Sequence, residues 1–272
     1  MSFISKKRLP DTPLFQRTAV ALGMLVACAS ASALPQFTLN PGAVMPTPLA
    51  GTAFTGDNIL ISDFSTVTFD GLGNFTDTGF LSVSAIQLGG STFTPTGLNS
   101  TYGLYFAFSG MGKTTIGDPR LVPTIGSFTS LTYQLYGYNG LASFGFSGNT
   151  PTETATNEVM LASGTLISGN AVTVPTGDGS TFTPSAAAKL NFVVTPGQQA
   201  FFVDPNPFYD LAFAAFTNTT TQVEPFAGGF RIRQGGGAIN FAATPPIPEP
   251  ETYALMLAGL AAVGFVARRR RA

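Results

Sequence analysis

The sequence contains no histidine and no tryptophan, and its single cysteine is Cys28. Without an imidazole base, catalytic triads of the Ser-His-Asp type and Cys-His pairs are excluded. Zinc sites built from histidine and cysteine are excluded for the same reason. The chemistry that remains open uses carboxylates, either as the acid and base of a glycosidase or as oxygen ligands of calcium.

Charged residues are scarce as well, at 10% of the chain. Between Leu34 and Pro248 there are five basic and eleven acidic residues, which gives this part a net charge of −6. A sparsely charged, acidic protein does not neutralise a phosphate backbone. Nucleic acid is therefore not an expected partner.

The N-terminus has the pattern of a secretory signal peptide. Four basic residues precede an apolar run at residues 19–29, and the small-residue step Ala31-Ser32-Ala33 follows. The run is about half as long as the ~20 apolar residues that a transmembrane helix needs. We therefore predict a signal peptide over residues 1–33, cut after Ala33. Because Cys28 leaves with it, the mature protein is expected to have no disulfide bond.

Residues 34–243 have the composition of a β protein. They are rich in Thr, Ser, Gly and Phe, and short apolar runs recur between Gly, Pro, Asn and Asp. The pattern predicts an all-β fold, a single β-sandwich or jelly-roll-like domain. Strands are predicted near residues 59–69, 80–86, 102–108, 127–138, 141–146, 159–167, 189–194, 208–217, 230–233 and 238–242.

Three local signals predict how these strands are connected. Asn139-Gly140 is typical of a type I′ hairpin turn, because both central positions of that turn need a positive φ. Asp70-Gly71, followed by Gly73-Asn74, predicts a second hairpin or a bulged turn. Pro205 and Pro207 exclude a central strand from their segment, which is expected to form an extended bend.

The candidate binding residues are aspartates and tyrosines. Four aspartates recur about every seven residues but lack the pattern of a calcium loop: Asp57, Asp63, Asp70 and Asp77. Eleven carboxylates also permit, without indicating, a glycosidase pair. Tyr136 and Tyr138 lie on one face of a predicted strand, where aromatic rings can stack on sugars. Packing within the sheet is the alternative role of both tyrosines.

The C-terminal tail has three parts. A proline-rich spacer at residues 244–252 contains Pro248-Glu249-Pro250. Residues 253–267 carry no charge, and as a helix they cover only ~22 Å of a ~30 Å bilayer core. We predict a short transmembrane helix with an arginine-rich end over residues 253–272, which leaves the body outside the inner membrane. Its cluster consists of Arg268, Arg269, Arg270 and Arg271.

This tail resembles the PEP-CTERM sorting domain of Gram-negative bacteria. The resemblance implies recognition by an exosortase, a membrane-embedded processing enzyme, with Glu249 and its two flanking prolines as the recognised motif. It also implies a connection with exopolysaccharide production and with biofilm or floc formation. The body resembles the flocculation-associated PEP-CTERM proteins in the stretches at 54–57, 102–105 and 200–211. That second resemblance implies an exported protein with an adhesive role and no catalytic residues.

The expected protein is therefore exported, non-enzymatic and free of cofactors and metals. It would be held transiently at the inner membrane, sorted by an exosortase to the cell surface or matrix, and associated there with exopolysaccharide to promote flocculation or biofilm formation. Two alternatives stay open. One is a lectin-like or calcium-dependent module with a defined sugar site, and the other is a polysaccharide hydrolase that uses carboxylates alone.

Overall fold

A computed structural model describes residues 34–44 and 52–244 of the chain. Two single-turn 3₁₀ helices, Pro41–Ala43 and Thr220–Gln222, accompany the strands. The strands are β1 (Phe37–Leu39), β2 (Phe54–Gly56), β3 (Asn58–Phe69), β4 (Asn74–Leu88), β5 (Ser91–Phe93), β6 (Tyr102–Thr114), β7 (Thr124–Asn139), β8 (Phe144–Ser147), β9 (Thr150–Glu153), β10 (Val159–Pro175), β11 (Phe182–Asn191), β12 (Val193–Val194), β13 (Phe202–Asp204), β14 (Leu211–Thr217), β15 (Val223–Phe226) and β16 (Gly229–Ala242).

Eight long strands form one closed antiparallel sheet. Their order around the sheet is β3, β4, β6, β7, β10, β11, β14 and β16, which is also their order along the chain. The sheet closes because β16 pairs with β3. The result is an up-and-down barrel in which every one of these strands has two partners, so that the barrel itself has no unpaired edge.

The prediction of an all-β fold is confirmed, whereas the prediction of a sandwich or jelly roll is wrong. Register shifts occur in five of the eight barrel pairings, for example between β3 and β4 and between β6 and β7. Such irregularities bend a strand and increase its twist, which allows one sheet to coil until its two edges meet. An alternation of inward and outward residues is common to sandwiches and barrels, and it does not distinguish them.

A small three-stranded sheet of β13, β1 and β2 covers one end of the barrel. We call this the cap end; β3 begins there and β16 ends there. Phe37 of the cap packs edge-on against Phe241 of the barrel, with ring centroids 5.3 Å apart. Phe37 and Phe201 are fully buried. Burial of each such ring contributes about 1.5–3 kcal/mol, so the cap is an integral part of the core.

The predicted turns are confirmed in one case and wrong in the other. Residues 70–73 join β3 to β4, and the Asp70 carboxylate accepts hydrogen bonds from the N–H groups of Leu72 (2.7 Å) and Asn74 (3.0 Å). Asn139-Gly140 does not form a hairpin, because β7 pairs with β6 and β10 rather than with the strand that follows it. The hairpin in this region is β8–β9, whose turn lies at Gly148.

The proline-rich segment has the structure expected of it. β13 ends at Asp204 and β14 begins at Leu211, so Pro205 and Pro207 lie between strands. Phe208 of this segment packs against Phe202 of the cap and against Phe241 of the barrel, with ring centroids 4.7 Å and 5.3 Å apart. The bend therefore fixes the cap to the barrel.

Within residues 34–44 and 52–244, no helix is long and apolar enough to cross a membrane. The signal peptide predicted over 1–33 and the transmembrane helix predicted over 253–272 both lie outside the described residues.

Candidate functional sites inside and outside the barrel

The barrel encloses a cavity of about 100 Å³. Its wall combines residues from two apolar clusters: Phe106 and Ile239 belong to the cluster on the cap side, and Phe75 and Phe230 belong to the other. An eight-stranded barrel has an interior that side chains fill or that holds one small ligand. Because this interior retains free volume, it is a candidate binding site.

Two carboxyl groups line this otherwise apolar cavity. Asp63 lies on the inward face of β3 and Asp77 on the inward face of β4. Between them, Ser65 stands opposite Gly79, where an added Cβ would lie only 2.6 Å from that of Ser65. The absence of a side chain at Gly79 therefore leaves room for both carboxyl groups to approach Ser65.

Burial makes both carboxyl groups weak acids. It raises the pKa of Asp63 to about 7, an effect that the Ser65 hydroxyl partly offsets. Burial also raises the pKa of Asp77 well above its usual value, and the nearby charge of Asp63 raises it further. The two groups titrate as a pair, because ionisation of one opposes ionisation of the other.

The cavity also contains a buried amide. Asn218 follows β14 and is 3% exposed, and its backbone N–H donates to the carbonyl of Pro184 at 3.0 Å. Its side chain occupies the space beside Gly235, the residue of β16 that pairs with Asp63. The polar atoms of the cavity are thereby gathered on one part of its wall.

The oxygens gathered there are not satisfied by the protein. In the described part of the chain, Oδ1 of Asp63, Oδ1 of Asp77 and Oδ1 of Asn218 are buried without a hydrogen-bond partner, and so is the Ser65 hydroxyl between the two carboxyl groups. Burial of oxygens without hydrogen bonds lowers the stability of the folded protein unless another group supplies hydrogen-bond donors. The cations of the same part of the chain are engaged or exposed elsewhere: Arg120 pairs with Asp118, Arg231 and Arg233 pair with Glu224, Lys189 lies over Phe213, and Lys113 is exposed.

The fold separates the four regularly spaced aspartates. Asp57 accepts a hydrogen bond from the Gly89 N–H (2.6 Å) near the cap end, and Asp70 lies in the β3–β4 turn at the other end. Only Asp63 and Asp77 share a site. Among the described residues, no three His, Cys, Asp or Glu side chains are grouped so that they could hold a metal ion.

Tyr136 and Tyr138 lie on the outer wall of the barrel, within an aromatic cluster. Tyr136 stacks on Tyr105 with ring centroids 5.3 Å apart, and Tyr138 packs against Phe144 of the β8–β9 hairpin. Tyr138 is only 2% exposed, whereas Tyr136 is half-buried. The prediction of sugar stacking at this strand therefore depends on Tyr136.

A row of exposed hydroxyl groups crosses the same wall. Thr78 pairs with Ser109, Ser109 with Thr132, and Thr132 with Thr165, so the row extends over β4, β6, β7 and β10. Neighbouring strands are about 4.8 Å apart, which gives the row a length of roughly 14 Å. The Thr165 hydroxyl donates to the side chain of Asn191 (3.3 Å). The other three hydroxyls are exposed and make no hydrogen bond within the described part of the chain.

Asp63 and Asp77 were both candidate residues in the sequence, but their burial inside a barrel was not predicted. A signal for it exists: on β3, Ile61 and Val67 have the same strand parity as Asp63, which places that carboxyl on the apolar face. The hydroxyl row gives no such signal, because it depends on the register of four strands. Nothing in the sequence marks Asn218 as a residue of the cavity.

The described chain leaves the barrel at the cap end. β16 ends at Ala242, and Thr244 is fixed by its N–H and its hydroxyl, each of which donates to the Asp210 carboxylate at 2.6 Å. The predicted sorting residues Pro248, Glu249 and Pro250, with the arginines at 268–271, lie outside the described residues.

Comparison with known proteins identifies this tail. Residues 246–271 match the family model of the PEP-CTERM protein-sorting motif. No curated protein and no solved structure matches the chain significantly. The chain therefore carries a PEP-CTERM sorting signal at its C-terminus, and it is an exported protein that an exosortase sorts.

Proposed function

We propose that this chain is a non-enzymatic protein of the cell surface or extracellular matrix, which associates with exopolysaccharide and promotes flocculation or biofilm formation. After sorting by the exosortase, the barrel would bind the polymer through its outer wall. The observation that carries this proposal is the row of exposed hydroxyls at Thr78, Ser109 and Thr132.

The chemistry of the wall favours an uncharged polysaccharide. Hydroxyl groups both donate and accept hydrogen bonds, as sugar hydroxyls do. Tyr136 lies on the same strand as Thr132, roughly 13 Å away along β7, and offers a partly exposed ring for stacking. A polymer could contact both features, whereas a single sugar at Tyr136 alone would make the protein a lectin-like module.

The position of the carboxyl pair argues against a polysaccharide hydrolase. Such an enzyme needs an acid and a second carboxylate on either side of a bond in the polymer. Asp63 and Asp77 face an apolar cavity inside the barrel, which has room for a small molecule only. A polymer chain on the outer wall does not reach them.

Loss of the hydroxyl row should weaken polysaccharide binding about tenfold or more. Each neutral hydrogen bond contributes about 0.5–1.5 kcal/mol, and T78V/S109A/T132V removes three hydroxyls with little change of shape. Binding of the purified full chain to isolated exopolysaccharide measures the effect. The control T94V/T96V/T156V removes three exposed hydroxyls elsewhere and should bind normally.

A gene deletion tests the biological part of the proposal. Cells that lack the protein should aggregate less while they continue to synthesise polysaccharide, and wild-type protein should restore aggregation where T78V/S109A/T132V does not. If polymer synthesis collapses in the deletion strain, the protein belongs to biosynthesis. Equal rescue by both proteins would mean that the hydroxyl row is not the contact surface.

A further inference from the structure

The cavity in the barrel is independent of the outer wall, and its chemistry defines what it can hold. It is lined mainly by aromatic and aliphatic side chains, with a polar patch of Asp63, Asp77 and Asn218. In the described part of the chain, each of these three side chains presents a buried oxygen that accepts no hydrogen bond from the protein. We infer that the barrel binds a small ammonium compound, whose charged head contacts Asp63 and Asp77 and whose apolar body fills the cavity.

The hydrogen-bond acceptors of the polar patch indicate which charged group the ligand carries. Asp63 is 4% exposed, and a carboxylate so buried needs a cation or several donors for compensation. A protonated primary amine brings one positive charge and three N–H donors, which can bind the unpartnered oxygens of Asp63, Asp77 and Asn218. No described cation reaches the patch, so in the free protein protonation is what limits the buried charge. A bound ammonium ion would supply the missing positive charge and allow a carboxyl group to ionise.

The apolar remainder of the cavity wall indicates the size and polarity of the rest of the ligand. Phe75, Phe106 and Phe128 lie on one side of the cavity and Ala188, Ala212 and Ala214 on the other, so most of its wall is apolar. Its volume of about 100 Å³ is of the order of an engineered cavity of roughly 150 Å³ that binds benzene. A compact hydrocarbon group therefore fits, and a long chain or a sugar polymer does not.

Calorimetry at pH 8 with the full chain tests the inference, with benzylamine as the probe and toluene as its uncharged counterpart. Wild-type protein should bind benzylamine at least tenfold more tightly than toluene. The double variant D63N/D77N should lose that preference but retain toluene. It removes buried charge, so it is expected to fold, and thermal unfolding of the free protein verifies this.

A second variant distinguishes binding in the cavity from binding on the protein surface. In Ala214→Leu, the larger side chain occupies the cavity and should weaken both probes at least tenfold, while Asp63 and Asp77 remain. Unchanged benzylamine binding by either variant would overturn the inference, and so would failure of folded wild-type protein to bind benzylamine. A calcium-induced rise in melting temperature that D63N/D77N abolishes, without amine binding, would assign the patch to a metal instead.

Discussion

Asp63→Asn should make the protein more stable at pH 8, by about 2–4 kcal/mol, and should flatten the dependence of its stability on pH. The carboxyl group has a pKa of about 7 in the folded protein because burial disfavours its charged form. In the unfolded chain it titrates near its ordinary value of 3.8. The folded state thus holds more protons between these two values, and stability falls as the pH rises through them.

Thermal unfolding from pH 4 to pH 8 measures this effect. For a domain of this size the gain at pH 8 corresponds to roughly 5–15 °C in melting temperature. At pH 4 the two proteins should differ little, because an amide and a protonated carboxyl group carry the same charge. A loss of stability in Asp63→Asn at pH 8 would mean that the carboxylate is paired with a cation in the free protein, which would contradict the unpaired state of the buried carboxyl group.

Asp70→Asn is a control in which the expected change of stability at pH 8 has the opposite sign. The Asp70 carboxylate is exposed and its pKa is lowered, mainly by hydrogen bonds from the side chain and backbone of Asn74. Its contribution to stability is therefore present at neutral pH and is lost as the pH falls through its folded pKa. The variant should be slightly less stable than wild type at pH 8, and the difference should vanish in acid.

Glu249→Gln should leave the precursor uncut at the inner membrane. The residue is the centre of the tripeptide in the matched sorting motif. We propose that the exosortase recognises its carboxylate, whose charge an amide lacks. Pro250→Ala should act in the same direction, because it removes the fixed φ of the motif. We expect a near-complete block, seen as a full-length species in the membrane fraction and the loss of released protein.

Glu251→Gln is the matched control for this experiment. It removes a carboxylate one position beyond the tripeptide and should be processed normally. An epitope at the C-terminus, followed by fractionation, distinguishes cut from uncut protein. Normal release of the Glu249→Gln protein would contradict the role assigned to the tripeptide.

Local features of the fold were predictable from the sequence, and closure of the sheet was not. The Asp70 turn follows from its residue types, and the Pro205–Pro207 segment follows from two missing backbone donors. The hairpin predicted at Asn139-Gly140 was wrong because residues that tolerate a positive φ occur in ordinary loops as well as in hairpin turns. Gly140 has φ 76° but begins the connection to a separate hairpin.

The candidate sites were only partly predictable for a similar reason. The tail could be identified because its signal is linear and compact. The cavity depends on which face of β3 and β4 turns inward and on the space left at Gly79, so a shift of one residue would move Asp63 and Asp77 to the surface. The outer hydroxyl row depends on four strands in register, which composition alone does not determine.

Because the chain leaves the barrel at the cap end, the linker to the predicted membrane helix starts there in the precursor. From Ala242 to Tyr253, where the predicted membrane helix begins, eleven residues can extend at most about 40 Å. If residues 253–267 form the predicted membrane helix, the small sheet of β1, β2 and β13 would stay near the bilayer until the tail is cut, and the opposite rim with its β3–β4 turn would point outward. Polymer could reach the side wall before release, but large partners would gain access to the cap only afterwards.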